Sequence, residues 1–138
     1  MSHIDLFRSE DIRDVLTLWR ATPGVGLSSA DEPDRLRLFL DRNPGTSFVA
    51  REGGRLLGAI LGGCDGRRGY IHHLAVDAGR RRASVGAALL ESTLEEFRRM
   101  GVLKVHMFVF PGNTPAIEFY SRRGWQWRED IRVMSRSL

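Results

Sequence analysis

Hydrophobic and polar positions in the first third of the chain follow two different periods, which predict a strand and then helices. The opening segment HIDLFR alternates as a strand does, and it leads into a helix whose apolar residues recur every three or four positions. The residues of that apolar face are Ile12, Val15, Leu16 and Trp19. After a turn-rich loop, LRLFL predicts a second short helix that the sequence NPG ends.

The middle of the chain predicts a hairpin, a further strand and a long helix. SFVARE and RLLGAILGGC flank the dipeptide Gly53-Gly54, which fits a two-residue hairpin turn. GYIHHLAV predicts the next strand, and alternation along it would place His72 and His73 on opposite faces of the sheet. A helix then runs to about residue 100 and ends at a glycine.

The remaining residues predict a buried strand, a helix and a final β segment. VLKVHMFVF is apolar on both faces near its end, which is typical of a strand inside a sheet covered on both sides. Pro115 suits the first position of a helix, with Thr114 as its cap. WQWREDIRVMSRSL then predicts one or two final strands. The order β-α-α-β-β-β-α-β-α-β-β indicates an α/β domain with a mixed sheet, antiparallel early and containing a strand-helix-strand crossover.

Length and composition limit the kind of protein that the chain can be. With 138 residues it is long enough for one core and too short for two comfortable ones, so we expect a single domain over residues 1–138. No apolar run approaches the roughly 20 residues of a membrane helix, and the acidic start MSHIDLFRSEDIRD does not resemble a signal peptide. We therefore expect a cytoplasmic protein. The single cysteine, Cys64, excludes an internal disulfide and is expected as a small strand residue.

Charged and metal-ligating residues favour neither nucleic acid nor metal as a partner. The net charge of +4 comes from 21 basic against 17 acidic residues, and the arginines are dispersed among acids. Because they form no basic stripe with aromatic residues, nonspecific nucleic-acid binding is the weaker alternative. His72, His73 and His106 lack ligand spacing with cysteine or acidic residues, so no metal site is expected.

The segment VDAGRRRASVGAALLE, from Val76 to Glu91, joins a predicted strand to a predicted helix through three arginines and a row of small residues. Such a junction points backbone N–H groups and the positive end of the helix dipole at one spot. Small side chains allow an anion to approach the backbone closely. The segment therefore predicts an anion site, most naturally for phosphate, although it matches neither the P-loop nor the three-glycine dinucleotide pattern.

Two segments carry a resemblance to a known family. LAVDAGRRRASVGAALLE, followed after one helix and one strand by GNTPAIEFYSRRGW, resembles the acetyl-CoA-binding core of the GNAT superfamily of N-acetyltransferases. The family pattern Arg/Gln-x-x-Gly-x-Gly/Ala is matched by Arg81, Ser84 and Gly86. The pattern Asn-x-x-Ala-x-x-x-Tyr is matched by Asn113, Ala116 and Tyr120. The resemblance covers essentially the whole chain and is strongest to small bacterial members related to the ribosomal-protein N-terminal acetyltransferases.

The resemblance implies acetyl-CoA as the cosubstrate and assigns it a binding site. The backbone of Leu74, Ala75 and Val76 would bind the thioester and pantetheine, with the Leu74 N–H as the candidate oxyanion donor. The residues expected at the phosphates are Arg81, Arg82, Ala83, Ser84, Val85, Gly86 and Ala87. Ser84 replaces the family's first glycine, and its hydroxyl could cap the helix or donate to phosphate. Asn113 would orient the cofactor arm, although asparagine before Thr-Pro also makes turns.

Tyr120 and His72 are the main candidates for proton transfer. By the resemblance, Tyr120 would protonate the departing CoA thiolate, although a tyrosine on an apolar helix face also suits core packing. The family often uses a glutamate as the base, and GYIHHLAV contains none. His72 is our first choice because its intrinsic pKa of about 6.5 suits proton removal near neutrality. A purely structural histidine is an equally open interpretation, and Glu118 is a more remote alternative base.

These observations favour an N-acetyltransferase that moves acetyl directly from acetyl-CoA to a primary amine, without a covalent enzyme intermediate. A protein N-terminus, a lysine and a small amine are all open as acceptors, and so is a homodimer. The loop TPGVGLSS, Trp125 and Trp127 are expected to determine acceptor specificity. The alternative is a non-catalytic acyl-CoA-binding or sensing module with the same fold, which the serine at position 84 and the missing glutamate both suggest.

Overall fold

The computed structural model of the chain describes residues 2–80 and 83–138. The chain forms two compact units, Met1–Phe108 and Val109–Leu138. Within the described residues, the whole sheet lies in the first unit, and no helix combines the length and apolar character needed to cross a membrane. The expected single domain over residues 1–138 stays a prediction.

The first unit is built on a five-stranded mixed sheet. Its strands are β1 (His3–Leu6), β2 (Phe48–Glu52), β3 (Arg55–Cys64), β4 (Gly69–Val76) and β5 (Val105–Met107). They lie in chain order, with antiparallel pairs up to β4 and a parallel pair between β4 and β5. Gly53 and Gly54 join β2 to β3 with φ of +57° and +81°, a conformation that glycine adopts readily in a two-residue turn. The predicted hairpin and mixed sheet are confirmed.

Helices cover both faces of this sheet. They are α1 (Ile12–Arg20), α2 (Pro33–Arg42) and α3 (Ala83–Arg99), and α3 forms the crossover between β4 and β5. All four residues of the predicted apolar face of α1 are buried. A Cβ atom at Gly62 would meet Thr93 of α3, whereas one at Gly63 would meet Phe39 of α2. Since side chains alternate along a strand, α2 and α3 lie on opposite faces of the sheet.

Close packing of α3 on the sheet makes Gly62 a sensitive position. A Cβ atom there would lie 2.7 Å from Thr93 Cγ2 and 2.8 Å from the carbonyl oxygen of Thr46, which is backbone and cannot rotate away. We expect Gly62→Ala to lower the free energy of unfolding by about 1–3 kcal/mol in urea denaturation. Gly112→Ala is the control, because a Cβ atom at Gly112 has no neighbour within 4 Å. Equal stability of both variants would contradict this packing.

The second unit differs from the sequence prediction in its helix start and in its last residues. Helix α4 (Thr114–Ser121) is capped by Asn113, whose Oδ1 accepts a hydrogen bond from the Ala116 N–H at 3.4 Å, so Thr114 is not the cap. No strand forms in residues 122–138, and the predicted final strands are therefore wrong. Ile131 and Val133, two apolar residues of this segment, are 55% and 66% exposed.

Strand β5 also differs from the prediction of a strand covered on both sides. It contains only residues 105–107 and lies at the edge of the sheet. Leu103 and Phe108, which flank it, are 90% and 71% exposed. The alternation of large apolar residues therefore did not predict burial here, because it does not specify which neighbours cover the strand.

Candidate functional site

Strand β4 contains a β-bulge at His72. Leu61 of β3 lies opposite His73, whereas Gly62 lies opposite Ile71, so the residue between them on β4 has no partner in this register. An extra residue in one strand interrupts the alternation of side chains between the two faces of a sheet.

The bulge brings both histidines of β4 to the same face of the sheet. The ring of His72 contacts Phe39 of α2, with centroids 5.3 Å apart, and the ring of His73 contacts Trp19 of α1, with centroids 4.7 Å apart. Both helices lie on one side of the sheet, because Trp19 of α1 and Leu36 of α2 share one core cluster with the strands. The prediction that the two histidines lie on opposite faces is therefore wrong, and the bulge is the physical reason.

His72 lies in a setting that favours its neutral form. Phe39 meets its ring edge-on at 86°, and Tyr70 lies nearly parallel to it at 6.2 Å, so two rings flank the imidazole of a residue that is exposed to solvent overall. Partial burial lowers the pKa of His72 below 6.5, and the positive charge of His73 lowers it further, while Asp31 opposes both effects. A neutral imidazole near neutral pH can accept a proton.

The second half of β4 leaves the pairing with β5. Among the described residues, the parallel ladder ends at Ile71 and Met107, whereas pairing with β3 continues through Val76. Leu74 and Ala75, two of the residues expected to bind the cofactor, therefore lie on a strand edge without a β5 partner in this ladder. Such an edge offers backbone groups for an extended ligand to bind, which suits a pantetheine arm.

The remaining residues expected at the phosphates lie around the start of α3. Arg81 and Arg82 lie outside the described residues. Ala83 is the first residue of α3; of the residues that follow, Ser84 is exposed and Gly86 is buried. Val85 and Ala87 are half-buried. Helix α3, 17 residues long, presents the positive end of its dipole at its first residues.

Tyr120 lies on α4 in the second unit. Its ring packs edge-on against Phe119 and Trp125, with centroids 5.1 and 5.5 Å away. Burial raises the pKa of the Tyr120 hydroxyl above its ordinary value of 10, so the group stays protonated near neutral pH. These contacts fit packing, and a protonated hydroxyl also fits proton donation.

The capping bond of Asn113 likewise gives that residue a structural role, which was its alternative interpretation.

Other candidates from the sequence have simpler environments. Glu118 is exposed and pairs with Arg122 of the same unit at 3.8 Å, as a solvated helix charge does. Trp127 is 46% exposed, and Trp125 is half-buried against Tyr120. Cys64 is a half-buried free thiol at the end of β3.

Sequence reasoning missed the partner of His73. Asp31, which lies in a short 3-10 turn just before α2, places its Oδ1 2.9 Å from His73 Nε2, and both side chains are almost fully buried. The two residues are 42 positions apart, and no local spacing links them. An acidic residue in a loop otherwise rich in serine and glycine was the only available signal.

Among the described residues, a metal site or a cavity could indicate a different location for the site. No three His, Cys, Asp or Glu side chains lie together in a way that could hold a metal ion. A cavity of about 320 Å³ lies where β1 ends and α2 ends, lined in part by Phe7, Leu40 and Asn43. It contains none of the residues predicted for the site.

Comparison with known proteins identifies the fold and the family. Residues 12–125 match the acetyltransferase (GNAT) family. The chain is 27% identical to acetyltransferase SG1711 of Sodalis glossinidius (strain morsitans), over 98% of this chain and 94% of that protein. The PaiA N-acetyltransferase from Thermoplasma acidophilum, solved in complex with coenzyme A, matches with a TM-score of 0.82 and 16% identity over 95% of this chain and 93% of that one.

A third match is to a ribosomal-protein N-acetyltransferase, the kind of relative that the sequence resemblance suggested. The ribosomal-protein-S18-alanine N-acetyltransferase from Escherichia coli matches with a TM-score of 0.71 and 20% identity, over 90% of this chain and 77% of that one. At this identity the likeness shows the fold alone. The family match and the sequence relative, taken with the mixed sheet and its crossover, confirm the predicted resemblance and imply acetyl-CoA-dependent acetyl transfer. The chain belongs to the acetyltransferase (GNAT) family.

Proposed function

We propose that the protein is an N-acetyltransferase that moves an acetyl group directly from acetyl-CoA to a primary amine. The observation that supports this most is the bulged strand β4, which places the His72 imidazole beside a strand edge suited to the thioester. His72 is the proposed base, and Leu74 on that edge is the proposed donor to the thioester oxygen. We also propose a cytoplasmic location, and leave open whether the acceptor is a protein N-terminus, a lysine or a small amine.

Bond making and bond breaking are shared between two proton-transfer groups in this proposal. The amine nitrogen forms a bond to the acetyl carbon and the carbon–sulfur bond breaks. The His72 imidazole takes the proton that the amine loses, and the Tyr120 hydroxyl supplies a proton to the departing sulfur. The Leu74 N–H donates to the oxygen that becomes negatively charged as the amine attacks.

The phosphate end of acetyl-CoA is assigned to the backbone amides of residues 82–87. We expect saturating acetyl-CoA to stabilise the protein because it binds the folded state only. At about 100 times its dissociation constant the gain should be about 2.7 kcal/mol, measured as a rise in melting temperature. Desulfo-CoA should stabilise as well, since it keeps the phosphates. An unchanged melting temperature at millimolar acetyl-CoA would overturn the cosubstrate assignment.

Ser84→Gly tests how the helix start meets the phosphates. Ser84 is exposed on the first turn of α3, and glycine would restore the residue that the family usually has there. We expect acetyl-CoA affinity to stay the same or to increase, as measured by isothermal titration. A loss of about tenfold or more would instead mean that the serine hydroxyl itself binds phosphate, since one hydrogen bond to a charged group is worth about 1.5–3 kcal/mol.

The alternative function is a non-catalytic acyl-CoA sensor. Ser84 at the usual glycine position and the absence of a glutamate on β4 are the features that favour it. Tight acetyl-CoA binding together with no release of CoA in the presence of any amine would support the sensor. Release of CoA that depends on an amine, with acetylated amine as the product, would support the enzyme.

A further inference from the structure

A buried carboxylate ties the connection between α1 and α2 to the bulged part of β4. Asp31 Oδ1 lies 2.9 Å from His73 Nε2, and the two side chains are 8% and 11% exposed. In the part of the chain that the structure describes, Asp31 is the only acidic residue that is buried. It is thus an exception in a protein whose other carboxylates contact solvent.

The second oxygen of Asp31 anchors the loop itself. Asp31 Oδ2 accepts a hydrogen bond from the Ser28 N–H at 3.0 Å, and Ser28 Oγ accepts one from the Ala30 N–H at 3.2 Å. One carboxylate therefore bonds the loop with one oxygen and the strand with the other. Trp19 packs against the ring of His73 and limits its rotation further.

Joining a loop to the core through a buried ion pair or charged hydrogen bond costs the free energy of desolvating the charge. Burial removes the carboxylate from water, and two apolar side chains of similar size often fill such a position with equal or greater stability. What the polar pair adds is direction, because a hydrogen bond holds the imidazole plane and the carboxylate at one angle and distance. The arrangement therefore points to a need for fixed geometry at this place.

Apart from the bond of Asp31, apolar packing and hydrogen bonds within the segment or to α1 and α2 hold the connection, residues 22–32, which we call the acceptor loop. Val25 and Leu27 are partly buried against the core, and the Thr22 hydroxyl donates to the carbonyl of Leu18 at 2.7 Å. Asp31 makes the polar bond from this loop to β4, one residue away from His72. The position of the loop relative to the proposed base therefore depends strongly on that bond.

We propose that Asp31 and His73 form a positioning pair that fixes the acceptor loop against β4 and so shapes the binding site for the amine. This inference rests on the proposed function, in which His72 takes the proton of that amine. The pair acts through the loop and through the neighbouring residue of the strand. Its loss should therefore weaken amine binding, raising KM for the amine, while kcat and acetyl-CoA affinity change by less than about twofold.

The test compares Asp31→Ala, which removes the bond, with Asp31→Asn, whose carboxamide oxygen can still accept a hydrogen bond from His73 Nε2–H. Kinetics use the amine that the wild type acetylates fastest among N-terminal peptides, lysine peptides and small amines. We expect KM for that amine to rise about tenfold in Asp31→Ala, the equivalent of one charge-assisted hydrogen bond, and by about threefold or less in Asp31→Asn.

Asp34→Ala is the matched control, because Asp34 lies three residues further on with a side chain that is 93% exposed. It should leave KM unchanged. Hydrogen–deuterium exchange of residues 22–32 provides a readout that needs no turnover, and only Asp31→Ala should accelerate it.

Two results would overturn the proposal. The first is an unchanged KM and unchanged exchange in Asp31→Ala. The second is a general loss in which acetyl-CoA affinity, kcat and melting temperature fall together and Asp31→Asn gives no rescue, which indicates a structural role alone. A wild type that acetylates no amine makes the proposed function fail, and the amine-site part of this inference fails with it. Even then, faster exchange of residues 22–32 in Asp31→Ala would support the part of the inference in which the pair fixes the acceptor loop against β4.

Discussion

Tyr120→Phe should lower turnover by roughly 10²-fold while leaving the fold and acetyl-CoA binding nearly unchanged. The substitution keeps the ring that packs against Phe119 and Trp125 and removes only the hydroxyl. General acid catalysis contributes about 10²–10⁴-fold, and we expect the lower end because a free thiol has a pKa of about 8.5 and leaves readily as thiolate.

The measurement is kcat at saturating acetyl-CoA and amine, with melting temperature and acetyl-CoA affinity of the same variant as controls. Because burial raises the pKa of Tyr120, the wild-type hydroxyl stays protonated through the neutral range, and the effect of the substitution should not depend on pH there. Wild-type turnover in Tyr120→Phe would mean that Tyr120 serves packing alone.

His72→Gln should lower kcat by about 10²-fold near neutral pH, and the loss should shrink as pH rises. Glutamine keeps a polar side chain between Phe39 and Tyr70 but cannot take a proton. At higher pH a growing fraction of the amine has already lost its proton, so the base matters less. His3→Gln on the exposed face of β1 is the matched control and should behave as the wild type does.

The pKa of His72 also predicts the shape of the wild-type profile. A base works in its neutral form, so activity should decline as pH falls through the pKa of His72. Because partial burial and the charge of His73 lower that pKa against the opposing effect of Asp31, the midpoint of the decline should lie below pH 6.5. A His72→Gln deficit that is constant across the pH range would indicate a structural histidine.

Local spacing predicted those parts of the fold that local physics determines. The apolar face of α1 is a repeat of three or four residues within one helix, and the turn at Gly53 and Gly54 needs only a left-handed backbone. The crossover through α3 followed from the order of the elements. The family resemblance, carried by two short segments, added the expected cosubstrate and its site.

The β-bulge at His72 and the buried pair of Asp31 and His73 could not be predicted from local spacing. Whether His72 is skipped in the ladder depends on how β3 and β4 pair, and the register is set by side chains on two strands and on two covering helices. The bond between Asp31 and His73 joins distant positions that become neighbours only when α1 and α2 pack on the sheet. The final strands were predicted from alternation alone, which does not specify burial.

The most direct test of the proposed activity is release of CoA thiol by the wild-type protein with acetyl-CoA and a panel of amines. The panel contains peptides with a free N-terminus, N-blocked peptides with a lysine, and small amines, each scored against acetyl-CoA alone. We expect at least one amine to raise thiol release well above the rate without amine, with the acetylated product identified by mass spectrometry. Stabilisation by acetyl-CoA with no amine-dependent release from any member of the panel would contradict the enzyme and favour the sensor.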